Sequence, residues 1–224
     1  MFAGSERYLQ DARQPVRSAA AEHLVELALR TPPDTPLYVL ALGCVTNIAS
    51  ALLLAPEIAE RIVVVWTSGY PSAVGLVNES FNMEQDMVAS RHLMDCGVPL
   101  VYLPGFHVGA QLRLSLAEME RYVRGRGAIG DYLHGLFTDN PLWTILQVDR
   151  MQPYSWVIWD VICVAWLLQP QWVASTLVRT PLLTDDRRWQ PGPGRHLMRE
   201  AYAVDRDAIF NDFFGKLPPA RAPA

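Results

Sequence analysis

The chain has 224 residues, of which half are hydrophobic and 19% are charged, a composition typical of a globular domain rather than a disordered segment. Nineteen basic and twenty-three acidic side chains give a formal net charge of −4. This balance argues against a nucleic-acid polymer as partner, because proteins that bind one normally carry a basic excess. The length fits one domain, which we expect to cover residues 1–217 and to be followed by a short tail at 218–224.

Helical patterns alternate with continuous apolar runs from residue 18 onward. Ser18 is a typical N-cap before the first helix, and Ser115 with Glu118 three residues later has the spacing of a capping box. The predicted helices cover residues 18–30, 46–54, 86–96, 115–124, 128–137, 160–168 and 206–217. The predicted buried strands cover residues 37–42, 61–66 and 98–103, and a late antiparallel pair covers 176–183 and 196–204.

Buried strands that are separated by helices indicate an α/β fold. We therefore predict a Rossmann-like, mostly parallel sheet with helices on both faces. Residues 37–55 form an apolar stretch as long as a membrane helix, but Gly43 interrupts it, and a strand, a turn and a helix explain it better. We therefore expect no membrane partner. The polar first residues contain no signal segment, and three cysteines form no disulfide framework, which predicts a cytoplasmic protein.

Asp160 is the most informative single residue, because it interrupts the apolar run VIWDVICVAWLL. An ionised carboxylate in such surroundings is costly unless it is paired, caps a helix or binds a metal. Capping is one explanation, since Asp160 lies where a predicted strand gives way to a helix. The other is ligation of a hard ion such as calcium, which prefers oxygen ligands.

Two loops that follow predicted strands are further candidates, because ligands of parallel sheets bind at the carboxyl ends of the strands. Asn78 and Asn82 lie four residues apart after the strand at 61–66. Their amides can present donors and acceptors to sugar hydroxyls, although asparagine is also common in ordinary turns. Residues 43–47 can present carbonyl oxygens to a ligand, or they can simply begin a helix.

Three segments resemble, in the same order, those of the inosine/uridine-preferring nucleoside hydrolases. LALGCVTNIASALLLAPEIAERI resembles the family's LGPLTN-x-A-x-A segment, and NESFNMEQD resembles its EFN…D segment. VIWDVICVAWLLQP resembles the segment HDP-x-A-x-A. The resemblance extends over nearly the whole chain, from about residue 2 to residue 217.

The resemblance implies hydrolysis of the N-glycosidic bond of ribonucleosides to base and ribose, with a calcium-bound water whose proton an aspartate accepts. It implies that Asp160 and the carbonyl of Thr46 bind the calcium ion, and that Asn82 contacts the ribose, with Asn78 as a looser match. Trp159 takes the place of the family's histidine, where it stacks on a base or packs in the core. The resemblance also implies a homo-oligomer.

The sequence departs from the family in its acidic residues. The family's DxDxxxDD strand, which supplies the general base and most of the calcium carboxylates, has no counterpart here, and MFAGSERYL resembles an internal stretch of the family. Ser80 replaces the glutamate of EFN. We therefore expect the sheet and the site to be incomplete at the N-terminus, the catalytic base to be missing, and these residues alone to be inactive or weakly active. The alternative is a non-catalytic remnant that binds a nucleoside or ribose, or a subunit of an oligomer.

Overall fold

The computed structural model describes residues 1–32 and 34–219. The described strands are β1 (Leu37–Ala41), β2 (Ile62–Ser68), β3 (Leu100–Pro104), β4 (Arg113–Ser115), β5 (Ser155–Val157), β6 (Val173–Arg179), β7 (Leu182–Leu183), β8 (Trp189–Gln190) and β9 (Leu197–Val204). The described α-helices are α1 (Ala19–Arg30), α2 (Thr46–Leu54), α3 (Phe81–Glu84), α4 (Met87–Asp95), α5 (Leu116–Glu118), α6 (Gly127–Thr138), α7 (Leu142–Ile145), α8 (Val161–Leu168) and α9 (Arg206–Lys216).

Five strands form the main sheet in the order β1-β2-β3-β9-β6. The first four run parallel, and only β6 is antiparallel to its neighbour β9. This arrangement confirms the predicted α/β fold with a mostly parallel sheet. The late antiparallel pair is also present, but it extends the main sheet beside β3, a position that the sequence pattern does not predict.

Helices cover both faces of the sheet because the side chains of its central strands alternate between two apolar clusters. Val64 and Trp66 of β2 pack in the cluster that contains residues of α1, α2 and α4. Val65 of β2 and Val101 of β3 pack in the cluster that contains residues of α8 and α9. Such two-sided burial explains why these strands read as continuous apolar runs.

The predicted helix caps are present, although one of the helices is shorter than expected. Ser18 Oγ accepts a hydrogen bond from the backbone N–H of Ala21 at 3.1 Å. Ser115 and Glu118 form the predicted capping box. The α-helix they begin ends at Glu118, however, and Met119–Val123 continues as a π-helical turn.

A buried carboxylate, that of Asp86, joins three parts of the chain. Its oxygens accept hydrogen bonds from the backbone N–H of Leu9 at 2.9 Å, from the backbone N–H of Ala89 at 2.8 Å and from the hydroxyl of Thr46. Asp86 thus caps α4 and ties it to the start of α2 and to the N-terminal segment.

Asn47 fixes the same N-terminal segment from the next position of α2. Its Oδ1 accepts hydrogen bonds at 2.9 Å from the backbone N–H and the hydroxyl of Ser5 and from the hydroxyl of Ser18. The first residues of the chain therefore pack along the amino end of α2.

The outer edge of β1 pairs with no other strand of the described residues. Tyr38 on this strand is 42% exposed. The neighbouring helix α8 is apolar along its whole length, and its outer residues Val164, Leu167 and Leu168 are also exposed. This edge and this helix face form a continuous region with little polar protection.

Within residues 1–32 and 34–219, every helix is too short or too polar to span a bilayer. The cytoplasmic location stays a prediction, as does the extent of a single domain over residues 1–217. Residues 218 and 219 follow α9, whereas 220–224 of the predicted tail lie outside the described residues.

Gly69, in the turn after β2, combines a left-handed backbone, which favours glycine, with crowded surroundings. Its φ is +50°, and an added Cβ would lie 2.6 Å from Asn78 Oδ1 and 2.8 Å from both Met83 Cε and the Tyr102 hydroxyl. Gly97 also has a positive φ, +81°, but nothing lies within 4 Å of its added Cβ. The two positions therefore separate backbone strain from overpacking.

We expect Gly69→Ala to lower the free energy of unfolding by about 2–5 kcal/mol, since strain and overpacking add. Gly97→Ala should cost about 1–2 kcal/mol, because only the left-handed backbone is penalised. Urea unfolding of both variants measures the difference. Equal losses would show that the crowding around Gly69 is relieved without cost.

Candidate functional site

A cleft of about 500 Å³ opens at the carboxyl ends of β1, β2 and β3. This is where ligands bind in parallel α/β sheets. The residues that line the cleft are Leu42, Gly43, Thr67, Ser68, Gly69, Glu79, Ser80, Phe81, Asn82, Gly105, Phe106, Trp159 and Asp160. A smaller cavity of about 240 Å³ lies elsewhere, and almost all of its lining is apolar. It contains none of the predicted site residues, so the chemistry is to be sought in the larger cleft.

Hydroxyl groups from the end of β2 and from the loop before α3 lie on one side of the cleft. Ser68 Oγ and Ser80 Oγ form a hydrogen bond of 2.9 Å. The hydroxyl of Tyr102 stabilises the turn that follows β2, because it lies within donating distance of the carbonyl oxygens of Ser68, at 2.7 Å, and of Tyr70, at 2.8 Å. Burial raises the pKa of Tyr102 well above its ordinary value, so the phenol stays neutral and continues to donate.

Asn82 joins the ends of two strands at the cleft. Its Nδ2 donates to the carbonyl oxygens of Thr67 at 3.0 Å and of Leu42 at 3.4 Å. Its Oδ1 accepts no hydrogen bond from the described residues, and the side chain is partly exposed. The position predicted for a sugar contact therefore lies in the cleft with an acceptor available.

The Asp160 residue also lines the cleft, at the start of α8. Its side chain makes no capping hydrogen bond to α8, so capping does not explain this acidic residue. It also has no hydrogen-bond or ion-pair partner among the residues that the structure describes. Asp160 is exposed, so water solvates its carboxylate, and desolvation by the neighbouring residues raises its pKa above the ordinary value.

Three aromatic side chains line the cleft beside these polar groups, and we call Phe81, Phe106 and Trp159 the aromatic wall. Trp159 and Phe106 contact each other edge to face, with ring centroids 6.2 Å apart and an interplanar angle of 88°. Phe81 is 74% exposed, an unusual position for a phenylalanine in a folded domain. The wall offers flat apolar surface to a ring system.

Two of the predicted site residues do not line the cleft. Asn78 is fully buried; its Oδ1 accepts from the backbone N–H of Tyr70 at 2.6 Å, and its Nδ2 donates to the carbonyl of Arg187 at 2.9 Å. Thr46 is also buried, as the first residue of α2, and its hydroxyl donates to Asp86. Both side chains hold the loops around the cleft in place.

Sequence reasoning did not single out three contributors to the cleft as site residues, although two of them lie in the strand-end segments 67–82 and 104–108, where a ligand is expected. Leu42 carries the carbonyl oxygen at the very end of β1, four residues before Thr46. Thr67 continues the β-branched run of β2 and therefore reads as an ordinary strand residue. Phe106 follows β3 in a loop without a polar motif. The signal available for all three was their position directly after, or at the end of, a parallel strand.

The described residues do not fit a calcium site. The described part of the chain contains no group of three or more histidine, cysteine, aspartate or glutamate side chains that could hold a metal ion. Asp160 and the exposed Glu79 are the acidic residues of the cleft lining, whereas calcium takes six to eight oxygen ligands. We therefore assign no metal to these residues.

Comparison with known proteins gives a consistent result. The family model described as inosine-uridine preferring nucleoside hydrolase matches residues 3–211. The non-specific ribonucleoside hydrolase RihC of Salmonella paratyphi A is 27% identical over 166 residues, which are 73% of this chain and 51% of that protein. The chain thus spans about half the length of this curated relative.

Two solved structures share the fold. The purine-preferring ribonucleoside hydrolase from Gardnerella vaginalis has a TM-score of 0.70 at 20% identity and covers 95% of this chain and 67% of that one. The inosine-uridine preferring nucleoside hydrolase from Bacillus anthracis has a TM-score of 0.68 at 20% identity and covers 89% and 65%. Because the family model matches nearly the whole chain, this chain belongs to the inosine-uridine preferring nucleoside hydrolase family.

Proposed function

We propose that the cleft binds a ribonucleoside, and that the function of the protein is hydrolysis of the N-glycosidic bond to a free base and ribose. The observation that carries the proposal is the juxtaposition, in one cleft, of polar groups that match a sugar and an aromatic wall that matches a base. Membership of the family supports the same substrate class.

The ribose half of the substrate matches Asn82 and Asp160. A sugar hydroxyl donates and accepts hydrogen bonds, so it pairs with an amide oxygen and with a carboxylate. Bonds to an ionised group are about twice as strong as neutral ones, which makes Asp160 the stronger anchor.

The base half of the substrate matches the wall of Trp159, Phe106 and Phe81. Flat rings stack on such surfaces and gain more than the buried area alone provides. The Trp159 indole N–H is a donor only and does not give up its proton at neutral pH. In this proposal Trp159 therefore positions the base, and another group must assist its departure.

The chemical step needs a base that activates water, and the described residues hold no aspartate cluster that could share this task with a metal. Calcium, which the family resemblance implies, would orient a water and the ribose diol. Because the cleft does not supply its ligands, we derive no step through calcium and assign no catalytic base. The remaining function of these residues is recognition of the substrate.

We expect Asp160→Asn to weaken binding of inosine or uridine about tenfold or more, because a hydrogen bond to a charged group contributes about 1.5–3 kcal/mol. Titration calorimetry on the 224-residue chain measures the change. Asp149→Asn is the matched control, since Asp149 is an exposed loop residue whose carboxylate accepts only from the backbone of Met151. Equal affinities of the two variants would remove Asp160 from the site.

We also expect the 224-residue chain to release little ribose from inosine or uridine, with or without added calcium. The physical reason is the shortage of carboxylates in the cleft. A reducing-sugar assay at millimolar calcium measures this, with an active family hydrolase as the positive control. Ribose release that depends on calcium and approaches the rate of that hydrolase would contradict the expectation.

A second candidate is a non-catalytic protein that binds a nucleoside or ribose. Ser80 favours it, because its hydroxyl is engaged with Ser68 at 2.9 Å and cannot replace a carboxylate in acid–base chemistry. Tight binding of inosine by the 224-residue chain without measurable release of ribose would favour this candidate, whereas slow but measurable release would favour the hydrolase.

We further propose that the protein is a homo-oligomer. Ile129, Tyr132 and Leu136 lie on one stripe of α6 and are 49%, 62% and 53% exposed. An exposed apolar stripe of this kind is typical of a contact between subunits. Light scattering coupled to size-exclusion chromatography tests the proposal, which a strictly monomeric mass would contradict.

A further inference from the structure

The hydroxyl of Thr67 is buried and unpaired. Thr67 is 2% exposed, and its Oγ1 has no hydrogen-bond partner among residues 1–32 and 34–219. Buried polar atoms nearly always have a partner, and a hydroxyl without one destabilises the free protein. The described residues therefore do not explain why a hydroxyl is present at this buried position.

Three other buried side-chain atoms of the described chain are also unpaired, those of His92, Trp166 and His196. None of these residues lines the cleft, whereas Thr67 does. The unpaired atom of Thr67 is thus the one that coincides with the proposed binding site.

The Thr67 hydroxyl lies close to other residues that line the cleft. Gly105 lies next to it and carries no side chain; an added Cβ would lie 3.9 Å from Thr67 Oγ1 and 3.9 Å from Trp159 Cε3. Both Gly105 and Trp159 line the cleft. On the other side, the carbonyl of Thr67 accepts a hydrogen bond from Asn82 Nδ2 at 3.0 Å. Thr67 therefore contacts the residue proposed for the sugar through its backbone, and its hydroxyl lies beside Gly105, which also neighbours the residue proposed for the base.

We propose that Thr67 is a sugar-binding residue whose hydroxyl pairs with a ribose hydroxyl of the bound nucleoside. This inference rests on the proposed function and names a contact within the same cleft. The chemistry matches, because a threonine hydroxyl and a ribose hydroxyl each offer one donor and acceptor lone pairs. Binding of the ligand then supplies the partner that the free protein lacks.

The proposal predicts changes of opposite sign for stability and binding. Thr67→Val keeps the shape of the side chain and removes the hydroxyl. The free protein gains stability because an unpaired buried group is lost, and its melting temperature should rise by about 2–4 °C. The affinity for inosine should fall about tenfold, because the ligand loses one hydrogen bond in a desolvated site. Thr67→Ser retains the hydroxyl and should retain binding within about threefold.

Thr180 provides a matched control. It is fully buried, but its Oγ1 donates to the carbonyl of His196 at 3.1 Å, and it does not line the cleft. Thr180→Val should therefore lower the melting temperature and leave the affinity for inosine unchanged. Calorimetric melting and titration with inosine measure both quantities for all three variants.

Deoxynucleosides identify the paired hydroxyl. We expect the parent chain to bind one of 2′-, 3′- and 5′-deoxyinosine more weakly than inosine by the same factor that Thr67→Val causes, and the variant to lose that discrimination. Full discrimination retained by the variant would overturn the proposal.

Two other results separate this inference from the proposed function. If the parent chain binds inosine and Thr67→Val binds it equally well, or if Thr67→Val melts at a lower temperature, the role of Thr67 is refuted while the proposed function stands. If the parent chain binds neither inosine nor uridine, the proposed function fails and this inference fails with it.

Discussion

The carboxylate of Asp86 is the interaction on which much of the structure depends. It accepts hydrogen bonds from the N-terminal segment, from Thr46 at the start of α2 and from the first turn of α4. A buried charge is stable only when its oxygens are engaged in this way. These three segments are distant in sequence. One side chain therefore fixes the positions of the N-terminal segment, α2 and α4 relative to one another.

The cleft combines polar groups that hold its frame with polar groups that have no partner in the described chain. The polar ends of β1 and β2 are joined by Asn82, and the turn after β2 is supported by Tyr102 and permitted by Gly69. The buried hydroxyl of Thr67, in contrast, has no partner in the described chain, and the exposed carboxylate of Asp160 is engaged with none of its residues. Unpaired groups in a rigid frame are typical of a site that is organised for a ligand rather than for folding.

Much of the fold could be predicted from the sequence, since its main signals are local. The helix predicted at residues 46–54 has the same bounds in the structure, because a strand, a glycine and a run of helix-forming residues follow one another there. The helix predicted at 115–124 is shorter as an α-helix, since a capping box determines only how a helix begins. The position of β9 beside β3 could not be predicted, because the sequence of a single strand does not determine which other strand it pairs with.

The site was predictable in part, for a related physical reason. Asp160 and Asn82 could be recognised because a polar residue is conspicuous in an apolar run or after a strand. Asn78 gave the same signal, yet its amide accepts a hydrogen bond from the backbone of Tyr70 and donates one to the backbone of Arg187, so it is not available to a ligand. Thr67 gave only the signal of its position at the end of a strand, since the role proposed for it depends on the absence of a partner in three dimensions.

The open edge of β1 has a consequence for the behaviour of the chain in solution. Natural edge strands are usually protected by lysine, proline or a bulge, and the LYVLA sequence of β1 contains neither of these residues. Its free backbone groups lie beside the exposed apolar residues of α8. Because an unpaired edge can pair with another chain, this region favours contacts between molecules as the concentration rises, and it lowers the colloidal stability that the net charge of −4 provides.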